Sequence, residues 1–111
     1  MPVATSEGEI MTYGVVVKVP APITAYEASH GEIMKATGGE SPKGMIFHVA
    51  RETDDGFEMV DVWESKQDYD KFGAEVVGPA VARAGIDVSG PQPQSVEFTP
   101  TGLMLGRQLT P

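Results

Sequence analysis

The stretch that decides the fold is "MIFHVARETDDGFEMVDVWES", Met45 to Ser65. Apolar, largely β-branched and aromatic residues flank "TDDG", the pattern of two antiparallel strands joined by a tight turn. Strand side chains alternate, so parity sorts them into two faces. One face carries Met45, Phe47, Val49, Val60 and Val62, with Arg51, Glu58 and Glu64 at its ends. The other carries Ile46, His48, Ala50, Phe57, Met59, Asp61 and Trp63. With residues 53–56 as the loop, Glu52 pairs with Phe57 and His48 falls opposite Asp61, their Cβ atoms about 5 Å apart. A three-residue loop would instead set His48 beside Val62 and Asp61 beside Val49, burying two polar groups without partners. The even register is therefore the expected one.

Working outward, "MTYGVVVKV", Met11 to Val19, reads as a strand. Thr24 and Glu27 form a T-x-x-E capping box that opens a helix, and Gly38-Gly39 ends it. Tyr26, His30, Ile33, Met34 and Thr37 share one face of that helix. After the hairpin, Ser65 caps a second helix whose apolar stripe is Tyr69, Phe72, Val76, Ala80 and Ala84. Pro79 lies inside that pattern and predicts a kink or break near Gly78. "GIDVSGPQPQ" is a loop and "SVEFT" a fourth strand. The order β-α-β-β-α-β is the ferredoxin-like unit of the α+β class: a four-stranded antiparallel sheet with both helices on one face.

Residues 1–10 read as a flexible polar arm, 11–100 as the folded domain, and 101–111 as a tail docked on the body or a partner. Leu103, Met104 and Leu105 make that tail too apolar for free solvation. The uniformly apolar face of the hairpin is expected to lie under the helices. The face bearing Phe57, Met59 and Trp63 then needs another cover, and a second copy packed sheet to sheet supplies it. In that arrangement a cavity between the sheets holds His48 and Asp61 among its few polar groups.

The 111-residue chain is long enough for one domain with a core. Eight basic against sixteen acidic side chains give a net charge of −8, with no basic run, which argues against nucleic acid and anionic membranes as partners. No apolar run approaches the ~20 residues of a membrane span. "MPVATSEGEI" has neither a basic start nor an apolar core, so a cytoplasmic location is expected. With no cysteine, thiol nucleophiles, disulfides and thiolate metal sites are excluded.

The junction "VDVWESKQDYDKF", followed by "GPAVARAG", resembles the dimeric α/β-barrel superfamily of small antibiotic-biosynthesis monooxygenase-like proteins over roughly residues 11 to 99. The resemblance implies a homodimer with a cavity in each protomer. It also implies relatives that include cofactor-independent oxygenases of aromatic polyketides, haem-degrading oxygenases, muconolactone-isomerase-like enzymes and proteins without known activity. The haem-degrading branch draws its iron ligand from a histidine on the second helix. "KQDYDKFGAEVVGPAVARAG" contains none, which sets that branch aside.

Two functions fit these residues. In the first, His48 and Asp61 form a general-base dyad: a carboxylate beside an imidazole orients it and strengthens it as a base. Such a base deprotonates a phenol or an acidic C–H of a small hydrophobic or aromatic molecule. The anion then reacts with oxygen, isomerises or cyclises without a cofactor. Tyr13, Ile46, Met59 and Trp63 are the candidate cavity walls. In the second, the same dimer binds a small molecule or partner without catalysis, and His48 with Asp61 is a cross-strand pair that fixes register. His30 reads as a half-buried helix residue. The spacing of His30, His48 and Asp61 matches no metal-ligand pattern, so no metal is expected.

Overall fold

The computed structural model describes residues 12–102. Strand β1 (Tyr13–Val19) leads into helix α1 (Ile23–Thr37), and the hairpin follows as β2 (Met45–Thr53) and β3 (Gly56–Trp63). Helix α2 (Lys66–Phe72), a π-helical turn (Gly73–Val77) and helix α3 (Gly78–Arg83) then return the chain to β4 (Gln94–Phe98). The sheet order is β2-β3-β1-β4 with every neighbouring pair antiparallel, the ferredoxin-like α+β arrangement. No helix among the described residues is long and apolar enough to cross a membrane.

The hairpin register is the expected one. Glu52 pairs with Phe57 and His48 with Asp61, while the turn tightens until Thr53 pairs with Gly56. Gly56 adopts φ 152°, and a side chain there would run into the backbone of Val19 and Ala21, so the turn requires glycine. Ser65 caps α2 by accepting a hydrogen bond from the Asp68 N–H at 3.1 Å. Gly38 ends α1 in the left-handed conformation, with φ 67°.

Two local expectations change, and a third is met by a specific backbone device. The Thr24 capping box does not form. Pro22 is the N-cap, its carbonyl accepts from the Ala25 N–H at 2.9 Å, and no side chain caps the helix. Proline's φ near −65° favours a start at this point, which places Thr24 inside the first turn. The interruption expected near Gly78 is present: regular α-helix ends at Phe72 and a short helix restarts at Gly78, with Pro79 in its first turn. The preceding turn widens to a π-helix in which the Gly78 N–H reaches the Gly73 carbonyl, and so the ladder absorbs the missing proline N–H. On α1, Met34 stands at the exposed edge of the expected stripe, 36% accessible. The N-terminal arm and the tail from Leu103 to Leu105 lie outside the described residues.

The largest correction concerns the faces of the sheet. The helices cover the face of His48, Phe57, Met59, Asp61 and Trp63, not the uniformly apolar one. Trp63 is fully buried within the protomer, its ring 5.6 Å from Phe72 and 5.9 Å from Tyr69 of α2. Phe57 is 5% exposed and meets Tyr26 of α1 at 5.7 Å. Neither is available to a partner, and His48 with Asp61 lies beneath the helices instead of between two sheets. Polar groups are admitted under a helix layer when their hydrogen bonds are met, and these are. The opposite face carries Val16, Phe47, Val49, Val60, Val62, Val96 and Phe98, of which Val62 alone is buried in the protomer. There the Phe98 ring lies where a Cβ on Gly14 would stand, so β1 needs glycine opposite it.

Ile46 leaves the parity pattern altogether. Met45 pairs with Trp63 and Phe47 with Val62, so Ile46 is the extra residue of a β-bulge. That bulge also brings Met45, expected on the Phe47 face, into register with Trp63.

Candidate functional site

The covered face divides into two aromatic halves. Under α2, Tyr13, Trp63, Tyr69 and Phe72 pack together, with Tyr13 and Tyr69 ring centroids 5.3 Å apart. Under α1, Tyr26 lies against His30, His48 and Phe57. Asp61, on the central strand β3, joins the halves. Its Oδ1 lies 2.6 Å from His48 Nδ1, and its Oδ2 accepts from the Trp63 indole N–H at 3.1 Å. Beyond the imidazole, the Tyr26 hydroxyl lies 2.8 Å from His48 Nε2.

These contacts fix the direction of each hydrogen bond. As a carboxylate, Asp61 can only accept, so His48 Nδ1 carries a proton toward it. In a neutral imidazole Nε2 then holds the lone pair, and the Tyr26 phenol donates to it. Burial, and then the charge of Asp61, push the Tyr26 phenol above its ordinary range and keep it protonated. Tyr69 is raised first by burial and then by the Asp61 charge as well. The result is a chain of hydrogen bonds, Tyr26 to His48 to Asp61, with Trp63 holding the far carboxylate oxygen. Such networks rigidify a core when every member is satisfied. His48 is 24% and Asp61 14% exposed at the side chain, so the pair sits near the surface beside the edge strand β2.

The remaining expected residues are placed unevenly. Trp63 belongs to the network directly. Met59 is half-buried on the same face, paired with Ala50 and Val17. Ile46 sits at the bulge, half-buried. Tyr13 pairs with Trp63, but its hydroxyl turns away and donates to Glu97 of β4 at 2.8 Å. Burial and then Glu97 raise the Tyr13 phenol well above the usual range. A depression of about 430 Å³ opens at the hairpin end of the sheet, bordered by Lys18, Arg51, Phe57, Pro91 and Gln94, and includes neither His48 nor Asp61.

Sequence reasoning missed Tyr26 as a site residue, having placed it only on the α1 stripe. The available signal was that two rings with polar tips, Tyr26 and His30, stand one turn apart on a core-facing stripe. The Nε2 atom of His30 is buried without a hydrogen-bond partner among the described residues, and its ring stacks on Tyr26 at 5.4 Å.

Among solved structures, a Chloroflexus aurantiacus protein assigned provisionally to the antibiotic biosynthesis monooxygenases matches with a TM-score of 0.59 and 20% identity, over 84% of this chain and 96% of that one. The chain has the fold of the antibiotic-biosynthesis monooxygenase-like proteins. SnoaB, a cofactor-independent oxygenase from Streptomyces nogalater, matches with a TM-score of 0.52 and 17% identity, over 84% of this chain and 94% of SnoaB. NE2512 of Nitrosomonas europaea, a protein of unknown function, matches as well as the first: TM-score 0.59, 14% identity, 91% of this chain and 100% of that one. No family model and no curated sequence matches. A shared fold at these identities carries no activity with it.

Proposed function

We propose that the protein is a homodimeric enzyme that takes a proton from a small hydrophobic, aromatic molecule and lets the anion react with dioxygen without a bound cofactor. His48 is the base and Asp61 the carboxylate that orients it and stabilises the imidazolium it becomes. The supporting observation is the chain of hydrogen bonds through Asp61, His48 and Tyr26 under the helices, at 2.6 and 2.8 Å. An imidazole held in one tautomer by a carboxylate has its second nitrogen set up to receive a proton. Removing the proton from an aromatic hydroxyl or an activated C–H gives an electron-rich anion. Such an anion can pass an electron to dioxygen, and isomerisation or cyclisation can start from the same species.

The homodimer is supported by the open face of the sheet. Val49, Val96 and Phe98 are 46, 59 and 39% exposed in the protomer, beside half-buried Val16, Phe47 and Val60. A second copy packed on this face would cover it symmetrically.

Dioxygen consumption with a panel of hydroxylated polycyclic aromatics tests the reading. The wild type is expected to turn over at least one member. His48→Ala and Asp61→Asn are expected to lower that rate about 10²–10⁴-fold while the fold is retained. Undiminished turnover in both variants would remove the base from the mechanism.

A further inference from the structure

His48 Nε2, the atom a base must present, is already occupied. Asp61 holds the Nδ1 side, and the Tyr26 hydroxyl lies 2.8 Å from Nε2. While Tyr26 stays in place, an incoming molecule has no direct line to that lone pair. Tyr26 is also held firmly. Its ring stacks on His30 at 5.4 Å and 19°, lies 5.9 Å and 18° from His48, and tilts by 60° against Phe57 at 5.7 Å. Swinging the phenol aside would break these contacts together. Among the described residues the hydroxyl makes its hydrogen bond to His48 alone, so its oxygen still has lone-pair capacity to accept another.

We propose that Tyr26 is a catalytic residue, the hydroxyl through which a phenolic substrate passes its proton to His48. This rests on the reading of His48 and Asp61 as the base. The substrate hydroxyl donates to the Tyr26 oxygen. Its proton moves onto that oxygen as the proton Tyr26 already holds moves onto His48 Nε2. The substrate O–H bond breaks, and its electron pair stays behind as a phenolate. Tyr26 finishes as a phenol with a new O–H bond, and His48 as an imidazolium against the Asp61 carboxylate. One net proton is transferred and no redox change occurs in this step. Burial and the nearby Asp61 charge disfavour a free tyrosinate here, so the two transfers run together. Because the net acceptor is the His48 imidazole, the relay favours hydroxyls whose acidity approaches that of an imidazolium, which names the substrate class: activated phenols, not aliphatic alcohols.

The probe is 4-nitrophenol, whose absorbance reports its ionisation, added to the full chain at a pH where the free probe is mostly protonated. Wild type is expected to hold it as the phenolate. His48→Ala should bind it without ionising it, and Tyr26→Phe, which keeps the ring and its packing, should lower the bound phenolate at least tenfold. Ionisation retained in Tyr26→Phe but lost in His48→Ala would overturn the relay and leave the base standing. Ionisation unchanged in His48→Ala, or absent in wild type, would overturn both. A second measurement needs no variant. Nuclear Overhauser contacts should run from the bound probe to the Tyr26 ring while those between Tyr26 and His48 persist. Loss of the latter on binding would show that Tyr26 steps aside, and the relay would fall.

Discussion

The covered and open faces of the sheet differ in opposite senses. The face beneath the helices carries His48, Asp61 and the Tyr13 ring among its apolar neighbours. The face left open in the protomer carries valines and phenylalanines except at its hairpin end, where Lys18, Arg51, Glu58 and Gln94 stand. Ranking the faces by polarity therefore gives the wrong layer order. Each polar atom of the covered network except His30 Nε2 has a partner, so its cost of burial is small. The open face has no such means of satisfying itself. It needs apolar area against it, which the proposed second copy supplies.

This contrast can be broken most sharply by paired substitutions on adjacent residues of β3. Val60 sits at the centre of the open face, registered against Val16 and Val49, whereas Met59 points under the helices. Val60→Arg is expected to convert the proposed dimer into a folded monomer in sedimentation. Met59→Arg is expected to lose the fold, because it buries an unpaired charge inside the protomer. A Val60→Arg dimer of undiminished affinity would show that the open face is not the interface. Trp63→Ala should cost about 3–5 kcal/mol in denaturant unfolding, since a fully buried indole leaves a cavity and Asp61 Oδ2 loses its donor. A cost below about 1 kcal/mol would mean that the covered layer packs loosely around the indole.

The tyrosines give a smaller, pH-dependent effect. Tyr13, Tyr26 and Tyr69 are the chain's three tyrosines, and burial raises each above its ordinary value. An acid whose folded pKa is raised supports folding fully below its unfolded value, about 10, and that support is lost as pH rises through the folded value. Phenolate absorbance should thus stay flat through about pH 10 and rise together with alkaline unfolding. A separate early rise would place at least one phenol in solvent.

Much of this was legible where local chemistry decides. The Ser65 cap, the Gly38 stop and the pairing of His48 with Asp61 follow from turn length, alternation and capping preference. What was not legible depends on contacts distant in sequence. Which face the helices take is set by the crossovers from β1 and β3, and both faces are apolar enough to be covered. The bulge at Ile46 and the π turn before Pro79 are backbone adjustments that side-chain periodicity does not record. Tyr26 and His48 are 22 residues apart on different elements, and only the packed fold brings the phenol to the imidazole. The Thr24 capping box failed for a local reason of its own, because Pro22 set the helix start first.

Whether His48 is held as a base is read straight from nitrogen-15 spectroscopy of the side chains of His30 and His48, the chain's two histidines, with His30→Gln used for assignment. At neutral pH His48 is expected to carry its proton on Nδ1 and to show an unprotonated, hydrogen-bonded Nε2, with a coupling that runs from that nitrogen to the Tyr26 hydroxyl. A His48 protonated at Nε2 and bare at Nδ1 would reverse both hydrogen bonds. It would leave Asp61 Oδ1 without the imidazole proton it accepts and remove the base on which the proposed chemistry depends.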